Sequence, residues 1–408
     1  MLRRLYIEGF KSLRQVEVEF PRLTVLFGPN AAGKSNIIDA VQALSRLGTS
    51  RTLSDAFSDP IRGYSIEVFS FPSGGVQALL EQKEASFKLE ADLTVGQAAF
   101  RYRVVVAIKP ESGSLYISDE YLTALDQRGQ PRGNPRIEAK EGKLLIRRAS
   151  KGSPREEALG LNYTQLSDPR LSGTSYHQIE RCRQELVDWR VYYLDPRVAM
   201  RSAKPPAEVR DIGILGEDIA PFLYRLRAES PKDYEAIKRT LRSIVPSIEE
   251  LEVDLDKRRG TLDILIRQNG TDYSSRIVSE GTLRLLAVSA IAVNPWGGSL
   301  IAFEEPENGV HPRRLELIAQ LLIFLAKDKN RQVIVTTHSP VFCDAVLKGA
   351  SGIADEVAFL NVYQNENGTA VHTLDSSKLT DEEFIRGLTA EAEDGIFQSL
   401  MVRGMLDG

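Results

Sequence analysis

The sequence predicts an α/β protein: a phosphate-loop core built on parallel strands, flanked by antiparallel β-structure and joined by a smaller α+β region. Three observations carry that prediction. GPNAAGKS, Gly28 to Ser35, fits G-x-x-x-x-G-K-[ST] and sits between a strand pattern and a helical pattern, the context that motif requires. Two runs near the other end, SLIAF and QVIVTT, are continuously apolar or β-branched, the texture of strands covered on both faces. Helical patterns separate those runs.

The elements follow in order. LRRLYIEGF, QVEVEF and LTVLF read as three short strands, the last ending at Phe27. Residues 33–47 carry a helical stripe at Ile37, Ile38, Val41, Leu44 and Leu47. Alternation from about 62 to 126, in YSIEVFS, FRYRVVVAI and SLYISDEYL, predicts β-structure. Residues 127–176 are richer in Gly, Pro, Ser and Arg and predict an excursion with long loops. A helix at about 178–188 and a short strand at Arg190–Leu194 come next. Helices near 217–228 and 231–245 precede two antiparallel strands, LEVDL and TLDILIR. From Ser279 to about 349 the order is helix, buried strand, helix, buried strand, helix. The tail, 373–408, holds eight acids and three bases and predicts a surface-lying helix.

Composition sets the bounds. The 408 residues and 45.4 kDa suffice for two domains, or for one large core with a substantial lobe. With 42% hydrophobic and 26% charged residues, disorder and collagen-like repeats are excluded. A net charge of −4 excludes a histone-like polycation but not a local basic patch. Cys182, Cys343 and four scattered histidines give neither a disulfide framework nor zinc spacing, so a reducing compartment is expected. No apolar run approaches the roughly 18–20 residues of a membrane span, and MLRRLYIEGF lacks a signal peptide's apolar stretch. A soluble, cytoplasmic protein with no membrane partner is expected.

Four pieces carry chemistry. In the phosphate loop (Gly28, Pro29, Asn30, Ala31, Ala32, Gly33, Lys34, Ser35, with Asn36 beside it), glycines let backbone N–H groups turn toward phosphate oxygens, and the helix N-terminus adds partial positive charge. Lys34 would reach the β- and γ-phosphates, and the Ser35 hydroxyl would be a magnesium ligand. The strand SLIAF then delivers Glu304 and Glu305. Adjacent strand residues point to opposite faces, so one can serve a metal shell while the other polarises water. Alone, such a pair is as well read as a strand ending in solvated acids. In VSEGTLRLLAV, Ser279 is an N-cap candidate, Glu280 sits in the first turn and Gly281 permits close backbone approach. Read alone it is a well-capped helix. In VIVTTHSP, His338 ends an apolar strand where it can donate to a γ-phosphate, though a lone histidine there is more often structural.

In this order the four pieces resemble the ABC-type ATPase head: Walker A, signature, Walker B with D-loop, and switch histidine. The signature Ser279 lies 26 residues before Glu305 and His338 lies 33 after it, spacings similar to that family's. IEGFKSL, GPNAAGKSN, SEGTLRLL and EEPENGVHP look like its RecF/OLD/SMC-like branch, across nearly the whole chain. The resemblance implies ATP and Mg²⁺ as cofactors, Glu304 in the magnesium shell, Glu305 as catalytic base and His338 as γ-phosphate sensor. It further implies Ser279 and Gly281 as a signature acting in trans, Asn308 and Gly309 as D-loop, and a homodimer or an assembly of dimers. Glu304 stands where Asp is commoner. YYLDPRV (Tyr192–Val198) follows a strand at about the Q-loop position, but lacks its Gln and stays unassigned. The implied layout is an N-terminal part of lobe I over 1–199, a signature lobe over 200–298, the rest of lobe I over 299–372 and an acidic tail over 373–408.

What such a head acts on is open. Residues 132–155 hold Arg132, Arg136, Lys140, Lys143, Arg147, Arg148, Lys151 and Arg155 against Glu138 and Glu141, a local charge of +6. That segment suits nucleic-acid phosphates and equally suits a solvated loop. One expectation is a DNA-engaging ATPase for repair or antiphage defence. The other is an ATPase scaffold that holds a nuclease or toxin effector in trans. Only 70 residues follow His338, without a D-x-D, which excludes an OLD-type Toprim nuclease there and favours an effector in trans. A transporter ATPase subunit is a weaker reading, because its signature runs closer to LSGGQ. A small-molecule P-loop kinase is weaker still.

Overall fold

The computed structural model describes residues 1–58, 62–150, 152–374 and 395–402. A six-stranded sheet runs in the order Trp189–Tyr192, Leu300–Glu304, Gln332–Thr337, Leu23–Phe27, Val357–Asn365, Gly368–Thr373. Every neighbour pair is parallel except the last. Because side chains alternate along a strand, each central strand feeds two cores. Val25, Ile301, Phe303, Val333 and Val335 face one; Leu26, Leu300, Ala302 and Ile334 face the other. This double burial is why those strands read as unbroken apolar runs.

The first core is closed by the helices Ile219–Glu229, Pro231–Ile244, Glu280–Val293, Leu315–Lys327 and Pro340–Gly349, and by a three-stranded antiparallel sheet, Ile248–Asp256, Thr261–Gln268 and Thr271–Ser274. The second is closed by the helices Lys34–Leu47 and His177–Val187 and by an eight-stranded antiparallel sheet. Its order is Leu13–Glu19, Leu2–Phe10, Ala85–Val95, Ala98–Lys109, Ser114–Leu125, Pro131–Lys140, Lys143–Ile146, Arg155–Ala158. Gln332, only 1% exposed, ties the two sheets: its side chain accepts from the Leu2 amide at 2.7 Å and donates to the Leu2, Phe20 and Pro21 carbonyls. Among the described residues no helix is long and apolar enough to cross a membrane.

Three expectations need correction. YSIEVFS is no strand. Its centre is a 3₁₀ turn, Ser65–Val68, fixed by the Tyr64 amide donating to the Glu67 carboxylate at 2.7 Å; a local side-chain bond overrides the two-residue period. Residues 127–176 keep long connections, such as 159–176, but are not an excursion from the fold: Pro131–Lys140, Lys143–Ile146 and Arg155–Ala158 extend the antiparallel sheet to its edge. In the tail, 375–394 and 403–408 lie outside the described residues, and the short helix Ile396–Val402 is not surface-lying. Phe397 is fully buried against Phe27 and Phe359, and the Asp344 carboxylate accepts from its amide at 3.0 Å.

Candidate nucleotide site

The phosphate loop leaves Leu23–Phe27 at the C-terminal edge of the parallel sheet and enters the helix Lys34–Leu47. Gly28 has φ +141°, and a Cβ there would collide with the Val362 carbonyl oxygen on the adjoining strand. The Asn30, Ala31 and Gly33 amides make no hydrogen bond among the described residues. Unused N–H groups before a helix N-terminus form an anion-binding surface. Gln364 holds the loop by donating to the Ala31 and Ala32 carbonyls at 3.3 and 3.2 Å, and the Thr369 hydroxyl donates to Ala32 at 3.0 Å. Asn36 donates to the Ser12 hydroxyl at 2.7 Å, fixing the first helical turn to the N-terminal hairpin.

Lys34 is 5% exposed and donates to the Gly28 and Pro29 carbonyls, both at 2.8 Å. Burial lowers its pKa, against the opposing pull of Glu305, Glu307 and Glu304. The Ser35 hydroxyl donates to Glu304, which also pairs with Arg62 at 3.2 Å. A hydroxyl and a carboxylate oxygen together fit magnesium, which takes few protein ligands and completes its shell with phosphate and water. Among the described residues no group of three or more His, Cys, Asp or Glu is placed to hold a metal.

Glu305 takes the left-handed conformation, φ +44°. Its amide donates to the Thr336 carbonyl at 3.1 Å, and its carboxylate lies 3.1 Å from His338 Nδ1 and accepts from Asn308 Nδ2 at 3.2 Å. Glu304 and Glu305 therefore have different partners, Ser35 for one and His338 for the other. A non-glycine residue in this conformation is strained by about 1–3 kcal/mol, strain that clusters at functional sites.

Ser279 caps its helix, accepting from the Thr282 amide at 3.2 Å. A Cβ on Gly281 would lie 2.5 Å from the Gly309 carbonyl oxygen, so signature and D-loop touch within one chain. Glu280 pairs with Arg197 at 2.9 Å. No hydrogen bond or ion pair among the described residues joins Ser279–Gly281 to the phosphate loop of the same chain. The structure thus gathers Gly28–Asn36, Glu304, Glu305, Asn308 and His338, and holds the signature beside Gly309.

The basic segment stands apart on the antiparallel sheet. Lys143 pairs with Glu156, Arg147 with Glu138 and Arg155 with Glu157, two of those acids lying just beyond the window counted in sequence. Arg136, Lys140 and Arg148 form no ion pair with a carboxylate among the described residues, and Lys151 lies outside them.

Several site residues escape sequence reasoning. Arg62 lies between Glu304 and the buried Asp39, 3.5 Å from the latter, and over the Tyr193 ring at 5.3 Å; Asp39 also takes Lys11 and the Tyr193 hydroxyl, both at 2.6 Å. These contacts span 23 residues, from Asp39 to Arg62, to 242, from Arg62 to Glu304, and leave no local signature. Tyr193 of the unassigned YYLDPRV belongs to that cluster, and Arg201, three residues beyond that segment, donates to the Val278 carbonyl at 2.8 Å just before Ser279. Glu307, 5% exposed, accepts from the Thr337 hydroxyl while its Oε2 finds no partner among the described residues, and burial pushes its pKa up to about 7. The E-P-E spacing was a signal for it.

A parallel sheet with this loop, this carboxylate pair and a capped signature helix defines an ABC-type, SMC-like P-loop ATPase head. Residues 23–344 match the family described as "AAA domain, putative AbiEii toxin, Type IV TA system", and the chain belongs to that family. The DNA replication and repair protein RecF of Synechocystis sp. is 36% identical over 93 residues, 22% of this chain and 22% of that protein. RecF of Rippkaea orientalis is 40% identical over 55 residues, 13% and 14% of the two chains. The matched stretches thus span less than a quarter of these curated relatives. The Smc head domain of Pyrococcus furiosus, solved with the C-terminal domain of ScpA, aligns over 92% of this chain and 97% of that one with TM-score 0.51 and 13% identity, a likeness of fold.

Proposed function

We propose that the chain binds and hydrolyses ATP with Mg²⁺, pairs with a second copy around the nucleotide, and uses the cycle to control engagement of DNA or of a partner effector. The observation that supports this most is the Glu305 constellation: a strained carboxylate held by His338 and Asn308 beside Lys34, Ser35 and Glu304. Phosphates entering the loop meet the free amides of Asn30, Ala31 and Gly33, and the Lys34 ammonium exchanges two carbonyls for phosphate oxygens. Mg²⁺, held by Ser35 and Glu304, would screen phosphate charge. Glu305 orients a water and takes its proton as the oxygen attacks the γ-phosphorus and the bond to the β-phosphate oxygen breaks, releasing ADP and phosphate. His338 donates to the γ-phosphate and ties its presence to Glu305. Ser279 and Gly281, with no hydrogen bond or ion pair to their own loop among the described residues, suit the nucleotide of the other copy.

Glu305→Gln keeps the shape and loses the base. We expect Mg²⁺-dependent phosphate release to fall by a factor of about 10²–10⁴ while ATP binding is retained. Wild-type turnover in that variant would remove Glu305 from this role.

A second reading is an ATPase scaffold that restrains a toxin or nuclease in trans without binding DNA itself. The family's description names a toxin–antitoxin system, and the pairing of Lys143, Arg147 and Arg155 spends much of the charge that a nucleic acid would need. A co-purifying effector, with turnover indifferent to added DNA, would select it.

A further inference from the structure

Several cations on the eight-stranded sheet are paired. Arg101 meets Asp92 at 2.6 Å, Arg103 meets Asp119 at 2.7 Å and Lys143 meets Glu156 at 2.6 Å. Three arginines differ from these and lie together. Arg128, Arg132 and Arg136 have no carboxylate partner among the described residues, and all three line one open cavity of about 910 Å³.

The cavity arises from a break in strand pairing. Ser114–Leu125 and Pro131–Lys140 pair at Leu122 with Ile137 and next at Ala124 with Arg132. A step of two residues on one strand meets a step of five on the other, so Gly133–Arg136 bow out of the ladder. Ala98, Ala99 and Ala124 leave the space unfilled. Arg136 is fixed at the rim, its Nε donating to Gln178 at 2.5 Å and a terminal nitrogen to the Arg148 carbonyl at 2.8 Å. The cavity's single acid, Asp126, is occupied by the turn, accepting from the Arg128 and Gln130 amides at 2.8 and 2.9 Å.

We propose that this cavity is a binding site for the phosphodiester backbone of a single nucleic-acid strand, with Arg128, Arg132 and Arg136 as its phosphate contacts. Three guanidiniums against the one carboxylate of Asp126 leave a net positive charge, and a guanidinium fork matches phosphate oxygens. An open cavity of this size takes one or two nucleotide units of a passing strand, and its alanine floor accepts a sugar or base. The inference deepens the nucleic-acid arm of the proposed function and moves its contacts from the paired cations of residues 143–155 to the unpaired ones.

The test uses the full chain and a fluorescent 20-nucleotide oligothymidylate, with anisotropy read over a salt series. In Arg128→Gln/Arg132→Gln, binding weakens at least tenfold and the log–log salt slope becomes shallower by about 1.4, at roughly 0.7 per lost contact on a single strand. In Lys143→Gln/Arg155→Gln, where the removed charges are already neutralised, affinity stays within about twofold. Equal weakening in both variants, wild-type binding in the first, or no binding by the wild type overturns the assignment. ATP displacing the strand from Lys34→Ala, whose phosphate loop is disabled, would give the cavity to a free nucleotide instead and overturn it too. The four positions of the two double variants lie outside the ATP site, so turnover without nucleic acid and the urea midpoint stay at wild type in both. Absence of turnover in every chain, wild type included, would instead sink the ATPase reading and leave the binding data to judge the cavity.

Discussion

At the C-terminal edge of the parallel sheet, Lys34 donates to loop carbonyls, Glu305 is held at φ +44° and Glu307 keeps a buried oxygen without a partner. On the antiparallel sheet, Arg101, Arg103 and Arg147 each meet a carboxylate within 2.7 Å. The same residue types thus serve two ends. The antiparallel sheet spends many of its charges on its own register and, among the described residues, leaves Arg128, Arg132 and Arg136 without a carboxylate around one bulge. The parallel edge holds its charges in exchangeable or incomplete contacts, a local penalty of about 1–3 kcal/mol for each unmet buried group, and so keeps them available to a phosphate. The buried carboxyls repeat the contrast. Glu120, fully buried in the antiparallel region, accepts from the Gln165 and Leu166 amides and from the Tyr102 hydroxyl, whereas Glu307 has one donor.

The largest effect that would sharpen this contrast comes from a glycine in each region. Gly28→Ala drives a methyl into the Val362 carbonyl, and we expect a loss of more than about 3 kcal/mol in urea unfolding, with ATP binding abolished. Gly96→Ala, at φ +62° with open space around it, should cost only about 1 kcal/mol. Equal losses would mean that the phosphate loop is no more constrained than a surface turn.

Next comes pH. Burial pushes both Glu120 and Glu307 up to about 7 from an ordinary 4.5. The folded chain therefore binds more protons than the unfolded chain between those values. This contribution to stability is fully present below about pH 4.5 and is lost as pH rises through 7. Glu120→Gln cannot ionise, so the decline in its urea midpoint between pH 5 and pH 8 should be shallower than wild type. An unchanged slope would place the titration elsewhere.

The smallest effect belongs to the sheet surface. Lys143 and Glu156 are both more than half exposed, so Lys143→Ala should change stability by less than about 1 kcal/mol, measured by the same unfolding. A loss of several kcal/mol would show that such pairs hold the sheet edge together.

Legibility in the sequence follows the same division. The phosphate loop, the strands carrying Glu304 and His338 and the Ser279 cap were readable, because each depends on neighbours in the chain and on burial of both sheet faces. The strands of residues 131–158 were not, since an edge strand such as Arg155–Ala158 buries no side chain fully and shows no apolar alternation. Arg62, Asp39 and Tyr193 meet only through the fold. Phe397 was hidden by the acidic residues around it, although it packs on the strand that leads to Gly28.

The central claim is a nucleotide site completed by a second copy. The direct measurement is the solution mass of Glu305→Gln by light scattering, with and without Mg²⁺-ATP. With Ser279 and Gly281 proposed to complete the site of a second copy, the account predicts that ATP raises the mass from that of the 45.4 kDa chain to twice that value, and that Ser279→Arg in the same background prevents the rise. ATP bound at full occupancy with the mass unchanged would contradict it.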